Sequence, residues 1–281
     1  MNIRDGMCWG EKELSKKGIE NPRFDADLLL GEVLKKARDR LYLDWEHDLS
    51  FQEEESFRSL IQRRAANVPL QYILKRQEFM GLPFYVDERV LIPRADSEIL
   101  VEKLLESMEL EKEQRAGQKI KVADLCTGSG ALAISTAYYF PSAEVVGTDL
   151  SFAALEVAEM NAKELEVSVQ WRQGDFLKAI ANERWDYIIT NPPYVSLKDY
   201  DDCAPEIFYE PKMAFLGGED GLNFYRCLVE GVGSILNPQG KVFMEIGWDQ
   251  GEAVCSLFQK KGFATQVFQD LAGRDRVILA R

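Results

Sequence analysis

The chain has 281 residues, 46% hydrophobic and 29% charged, the balance of a soluble globular protein rather than a disordered or fibrous one. Its 34 basic and 47 acidic residues leave a net charge of -13, which argues against duplex DNA as a partner, since phosphate binding favours a basic face. Five cysteines with no C-x-x-C pair and a single histidine argue against a disulfide framework and against zinc, so no metal is expected.

Residues 1 to about 68 carry helical spacing. Phe24, Leu28, Leu29, Leu30 and Val33 recur on one face, and Asn21-Pro22 offers a start, proline being tolerated in a first turn. A second helix is predicted from an N-cap at Ser50 to Asn67, ended by Pro69. His47 lies among Asp44, Glu46 and Asp48 and reads as a solvated helix-end residue. Strand formers from Phe79 to Ile92, broken by Gly81-Leu82-Pro83 and Asp87-Glu88, predict a β-hairpin. An apolar helix over 99–108 follows, opened at Asp96 or Ser97, and the charged run 111–118 reads as a connection. Strands are then predicted at 120–125, 144–148, 168–172 and 185–190, with helices at 130–140 and 152–165. A helix at 221–236, a strand at 241–246, a helix at 250–261 and strands at 264–268 and 276–280 close the chain. This alternation predicts an α/β fold with a mostly parallel sheet covered on both faces. Three regions are expected: a helical bundle at 1–76, a linking hairpin at 77–93 and a catalytic domain at 94–281. No signal peptide and no apolar run of the ~20 residues needed to span a bilayer are read, so a cytoplasmic location is expected.

Two constellations carry chemistry. Asp124-Leu-Cys126-Thr127-Gly128-Ser129-Gly130 follows a predicted strand and opens a helix, where glycines let backbone approach a ligand and free N–H groups face it. Asp149 ends the next strand, where a carboxylate can accept both hydroxyls of a ribose. Gly174-Asp175-Phe176 ends the third; Asp175 can accept an exocyclic amine and Phe176 can pack on a base. Together these form a candidate nucleoside-cofactor site. Gly128-x-Gly130-x-x-Ala133 also satisfies the dinucleotide fingerprint, so the cofactor stays open at this point. The second constellation, Asn191-Pro192-Pro193-Tyr194, ends a buried strand. The Asn191 side-chain oxygen and the Pro192 carbonyl can hold both hydrogens of a planar –NH2 group, and Tyr194 can stack on its flat face.

This combination resembles the class I S-adenosylmethionine-dependent methyltransferases that act on planar amino or amide nitrogens. Further stretches narrow the resemblance: Phe24-Asp-Ala-Asp-Leu-Leu-Leu30, Pro69-Leu-Gln-Tyr-Ile-Leu74, Phe79-Met-Gly-Leu-Pro-Phe84, Val90-Leu-Ile-Pro-Arg94, Asp96-Ser-Glu98, Glu210-Pro211, Gly218-x-Asp-Gly-Leu222, Glu245-Ile-Gly247 and Asp270-Leu-Ala-Gly-Arg-Asp-Arg276. Together they resemble the PrmC/HemK family, the glutamine-N5 methyltransferases of peptide-chain release factors, over nearly the whole chain. Ala95 and Ala123 depart from the family's usual Pro and Leu, and neither carries a proposed chemical role.

The resemblance implies a Rossmann-like, seven-stranded, mostly parallel sheet preceded by a small helical domain and a hairpin. It implies S-adenosylmethionine as cofactor, S-adenosylhomocysteine as product, and as substrate the glutamine of the Gly-Gly-Gln motif in class I release factors. Asn191, Pro192, Pro193 and Tyr194 become the catalytic and substrate-binding residues. Asp124, Cys126, Thr127, Gly128, Ser129, Gly130, Asp149, Asp175, Phe176 and Asn191 become the cofactor residues. Arg94 would meet the cofactor carboxylate or the incoming peptide, or else pair with Asp96 or Glu98. Glu245 would orient polar groups at the site or cap a loop, and Arg274 and Arg276 would form a structural loop. The helices and hairpin would dock the release factor. A monomer is expected, without membrane or stable nucleic-acid binding. Alternatives are a ribosomal-protein glutamine methyltransferase, a nucleic-acid N6-adenine methyltransferase, an NAD oxidoreductase (for which no histidine base is evident) and a non-catalytic cofactor-binding module.

Overall fold

The helical spacing at the start of the chain becomes α1 (Ile3–Ser15), α2 (Pro22–Leu34), α3 (Arg38–Leu43), α4 (Phe51–Ala65) and α5 (Leu70–Leu74) in a computed structural model that describes residues 1–112 and 119–281. Asn2 caps α1 by accepting the Asp5 N–H at 2.8 Å. The α4 helix opens with a capping box: Ser50 Oγ accepts the Glu53 N–H at 3.3 Å, and Glu53 Oε2 accepts the Ser50 N–H at 2.8 Å. Such a cap is worth about 1 kcal/mol. Pro69 does not simply end a helix; it starts the short α5, which the apolar spacing does not announce. Ile3, Met7, Leu14, Leu29, Leu30, Phe57 and Ile61 form the core of this bundle, and His47 is exposed beyond α3.

The chain divides into two compact units, Met1–Arg76 with Ala204–Tyr209, and Gln77–Cys203 with Glu210–Arg281. In the first unit Arg64 is buried against Asp25 at 2.6 Å and also holds Glu206 at 2.6 Å. Tyr209 donates to the Ala66 carbonyl at 2.7 Å.

The second unit opens with strands β1 (Gln77–Phe79) and β2 (Leu82–Phe84). Met80 and Gly81 both take positive φ, 52° and 69°, the left-handed pair that a two-residue hairpin turn requires. The hairpin stops at Phe84, shorter than the strand character of Val90, Leu91 and Ile92 suggests. Asp87 turns the chain by accepting the Arg89 N–H at 3.1 Å, and the Ile92 N–H is taken by the Glu210 carboxylate at 2.9 Å instead of a strand partner.

After a 3-10 turn at Ala95–Ser97 comes α6 (Glu98–Lys112). Residues 111 and 112 of the expected connection finish this helix, and 113–118 lie outside the described residues. Strands β3 (Lys121–Leu125), β4 (Glu144–Asp149), β5 (Gln170–Gln173), β6 (Trp185–Thr190), β7 (Leu236–Glu245), β8 (Thr265–Gln269) and β9 (Asp275–Ala280) make a seven-stranded sheet in the order β5-β4-β3-β6-β7-β9-β8. The first five in that order run parallel; β9 is antiparallel to β7 and to β8.

Helices α7 (Ala131–Tyr139), α8 (Phe152–Glu164), α9 (Leu197–Tyr200), α10 (Asn223–Gly231) and α11 (Gly251–Lys260) complete the unit. The helix read at 221–236 is shorter than expected, because Leu236 already opens β7. Every residue of β6 is buried. Tyr187 and Ile189 enter one core with Leu104 and Ile134, and Ile188 enters the other with Tyr225 and Phe258. A strand covered on both faces reads as a continuous apolar run for this reason. The chain leaves β3 for β4 on one side and later returns to β6 on the other. In open α/β sheets the carboxyl ends of strands at such a switch point form the ligand crevice.

Candidate active site

The loop after β3 is folded from beneath by Asp124. This side chain is fully buried, and its Oδ2 accepts the Thr127 hydroxyl at 2.5 Å and the Ala133 N–H at 3.2 Å. The loop is thereby tied to the start of α7. Burial pushes the Asp124 carboxyl up to about 7. Gly128 and Gly130 have φ of +56° and +83°, where side chains other than glycine are strained. A Cβ on Gly130 would also lie 2.8–3.0 Å from Ile134, Ala158 and Trp171, whereas one on Gly128 would meet nothing within 4 Å. Gly130 is therefore packed into the fold, and Gly128 faces open space.

Asp149, at the end of β4, accepts the Gly128 N–H at 2.9 Å and the Ser151 N–H at 2.9 Å. Burial raises its carboxyl above the ordinary value despite these bonds. Burial, reinforced by Asp149, Asp124 and Asp175, pushes the Cys126 thiol well up, so Cys126 is a neutral wall and not a nucleophile. Asp175 is exposed and pairs with Lys178 at 2.5 Å. Phe176 meets Phe224 edge-on, with ring centroids 5.3 Å apart.

At the end of β6 the Asn191 Nδ2 donates to Ser97 Oγ at 3.1 Å, and no described residue donates to its Oδ1. Pro192 and Pro193 are buried. The Tyr194 hydroxyl donates to Glu245 Oε1 at 3.0 Å, and its carbonyl accepts Gln250 Nε2 at 2.9 Å. Burial pushes the Tyr194 phenol far above its ordinary range.

Cys126, Gly128, Asp149, Asp175, Phe176, Asn191 and Pro193 line one cleft of about 840 Å³. Arg94, Cys126, Thr127, Gly128, Ser129 and Asn191 line a recess of about 400 Å³ that shares its wall at Cys126, Gly128 and Asn191. Asp124, Gly130, Pro192 and Tyr194 line neither: Asp124 and Gly130 shape the loop, and Tyr194 directs its hydroxyl to Glu245. Arg94 pairs with neither Asp96 nor Glu98. Its partner is Glu210, while Asp96 meets Arg276 at 3.1 Å and Glu98 Oε1 accepts the Met80 N–H at 2.7 Å. Arg276 is also held by Asp270 at 3.1 Å, in the structural loop read from the sequence.

Three supporting residues were not read from the sequence as part of the site. Ser97 stands against Asn191, and Glu210 secures Arg94 and Ile92. Asn161 bonds the Ser129 carbonyl at 2.9 Å and both backbone groups of Tyr85, at 2.7 and 3.1 Å. Glu210 carried one signal, a Glu-Pro pair in an irregular stretch.

This strand order, with a glycine loop after β3, an acidic residue closing β4 and Asn-Pro-Pro-Tyr closing β6, defines a class I S-adenosylmethionine-dependent methyltransferase. The family model for the PrmC N-terminal domain matches residues 7–74, and that for the methyltransferase small domain matches residues 95–218. A release factor glutamine methyltransferase of Moorella thermoacetica is 40% identical over 100% of this chain and 98% of its own length. One from Geobacter sulfurreducens is 38% identical over 99% and 96%. The chain belongs to the release factor glutamine methyltransferase family. The solved structure of a T. thermophilus 16S rRNA N2 G1207 methyltransferase, in complex with AdoMet and guanosine, shares the fold, with a TM-score of 0.51 and 21% identity over 73% of this chain and 49% of that one. Among the described residues no helix is long and apolar enough to cross a membrane.

Proposed function

We propose that this chain methylates the side-chain amide nitrogen (N5) of the glutamine in the Gly-Gly-Gln motif of class I release factors, with S-adenosylmethionine as donor and S-adenosylhomocysteine as product. The observation that carries this reading is the orientation of Asn191: its Nδ2 is taken by Ser97 at 3.1 Å, leaving Oδ1 as an acceptor on the wall shared by the cleft and the recess.

The residues present fit the cofactor. Asp149 retains acceptor capacity for ribose hydroxyls beyond its two backbone bonds. Phe176 offers a ring and Asp175 an acceptor for an adenine. The open space over Gly128 suits close approach of a ligand to backbone. When bound, S-adenosylmethionine supplies a methyl group already activated by its sulfonium.

The chain's own task is position and polarity. An amide nitrogen is a weak nucleophile because its lone pair is delocalised, as the rotation barrier of about 18–20 kcal/mol for a peptide bond reflects. Asn191 Oδ1 and the Pro192 carbonyl accept the two amide hydrogens, aim the nitrogen and favour the positive charge that grows on it as the N–C bond forms. The extra proton then leaves the methylated amide, which is far more acidic than water in that protonated form. No side-chain base is required.

The first unit is proposed to dock the release factor, supported by the exposed Leu43, Trp45 and Phe51 on its surface. The net charge of -13 favours a basic protein partner over nucleic acid, and action as a cytoplasmic monomer is part of the same reading. Asn191→Ala tests the site: turnover should drop by about 100-fold or more, with cofactor affinity largely kept. Loss of cofactor affinity in place of turnover would reassign Asn191.

A further inference from the structure

A carboxamide has the same outline whichever way round it sits, so something must decide whether Asn191 shows oxygen or nitrogen to the acceptor. Its neighbour Ser97 is buried and receives Asn191 Nδ2 at 3.1 Å, but a hydroxyl can either accept or donate. The decision lies one residue deeper. Glu245, at the end of β7, is fully buried. Its Oε1 accepts the Tyr194 hydroxyl at 3.0 Å, and its Oε2 is buried without a hydrogen-bond partner among the described residues. The Ser97 hydroxyl lies near enough to help hold this carboxyl down against burial, together with Tyr194 and the charge of Arg276. An ionised carboxylate can only accept. It draws the Ser97 proton toward itself, and the Ser97 oxygen is left to accept from Asn191.

We propose that Ser97 and Glu245 are positioning residues: the Glu245 carboxylate orients the Ser97 hydroxyl, which turns the Asn191 amide so that Oδ1 faces the acceptor nitrogen. This rests on the reading of Asn191 as the acceptor-binding residue. With the amide reversed, an N–H would face the amide hydrogens of the substrate and a buried donor would lose its partner.

The groups facing Glu245 are Ser97 and Asp96 from the 3-10 turn, Tyr194 after β6, Tyr225 of α10, whose hydroxyl bonds the Glu245 carbonyl at 2.7 Å, and Arg276 of β9. Burial outweighs the groups that favour the carboxylate, so Glu245 holds its proton to higher pH than an ordinary glutamate. Protonated Glu245 can donate to Ser97 and undo the orientation. The rate at saturating substrates should therefore decline as pH falls through that raised value.

The test compares Ser97→Ala, Ser97→Thr, Glu245→Gln, the Ala/Gln double variant and Asn191→Ala, using a release factor and S-adenosylmethionine as probes. For Ser97→Ala and Glu245→Gln, kcat should fall about 10- to 100-fold, in line with loss of an oriented group at a reacting centre. Cofactor Kd should stay within about twofold, since neither residue is placed at the cofactor. Ser97→Thr, which keeps the hydroxyl, should restore most of kcat. The double variant should be no slower than the slower single one, as for residues acting in one chain. The acid limb of kcat should disappear in Glu245→Gln. Wild-type kcat in either single variant, multiplicative losses in the double, or losses that follow cofactor Kd would overturn the proposal; the Ser97 pair decides it even if Glu245→Gln does not fold. If Asn191→Ala keeps full turnover, the reading of Asn191 itself fails. If Asn191→Ala is inactive while Ser97→Ala and Glu245→Gln turn over normally, only the positioning proposal fails.

Discussion

Asp149 Oδ2 accepts the Gly128 N–H at 2.9 Å, joining the end of β4 to the tip of the glycine loop after β3. The same carboxylate holds the Ser151 N–H at the start of α8, so one side chain arranges three walls of the cleft. Asp149→Ala should raise the cofactor Kd by about 30-fold or more, the loss of two or more charge-assisted hydrogen bonds, with a smaller effect on kcat at saturation. Isothermal titration with S-adenosylhomocysteine measures this directly. An unchanged Kd would remove Asp149 from the cofactor site.

The two glycines of the loop should fail in different ways. Gly130→Ala brings a Cβ within 2.8–3.0 Å of Ile134, Ala158 and Trp171 at a positive φ, and should destabilise the fold by about 2 kcal/mol or more. Gly128→Ala meets only the backbone strain, of order 1 kcal/mol, but places its methyl toward the cleft. It should melt close to wild type and bind cofactor poorly. Thermal melts and cofactor titration of the pair separate the two effects, and equal melting losses would contradict the assignment.

The sheet, the cofactor loop and Asn191-Pro-Pro-Tyr194 were legible in the sequence because their signals are local. The unbroken apolar run of β6 states that the strand is covered on both faces, and Asp149 lies one βα unit after the loop it completes. The segment from Tyr85 to Ile92 was read as strand because its residues are strand formers. Its conformation is decided instead by distant side chains: Asn161 holds Tyr85 from 76 residues away, and Glu210 holds Ile92 from 118 away. Arg94 was matched to its sequence neighbours Asp96 and Glu98 for the same reason, since nothing local indicates Glu210. Ser97 read as a helix opener, which it is, and its second role against Asn191 depends on the packing of the 3-10 turn beside β6.

Asp124 makes stability depend on pH with a definite sign. Its carboxyl rises from an ordinary 3.8 to about 7 in the folded chain, through burial. The unfolded chain thus releases this proton at lower pH than the folded one, and the stabilisation it provides is full below about 4 and lost as pH rises toward 7. Relative to Asp124→Asn, the wild type should lose melting temperature between pH 4.5 and about 7.5, a pH range bracketing the two values. A difference between the two proteins that stays constant across that range would count against a proton held on Asp124.

In the helical unit, Arg64 carries two carboxylates, Asp25 and Glu206, each at 2.6 Å. Arg64→Ala leaves Asp25 buried and unpaired and should cost about 3–5 kcal/mol. Replacing Arg64 and Asp25 together by apolar residues of similar size should cost much less, because no charge is then stranded. Urea denaturation of the full chain, followed by a probe in the helical unit such as Trp9, compares the two. Equal losses would show that the pair itself, rather than the stranded charge, carries the stability.

The central claim is the transfer of one methyl group to a single glutamine amide. The most direct test incubates the full chain with S-adenosylmethionine and a class I release factor, beside a variant whose Gly-Gly-Gln is changed to Gly-Gly-Ala, and weighs the peptide that carries the motif. The account predicts one added methyl on the wild-type peptide, located on the glutamine side-chain nitrogen, and none on the variant. An unmodified wild-type peptide, or methylation that persists in the variant, would contradict it.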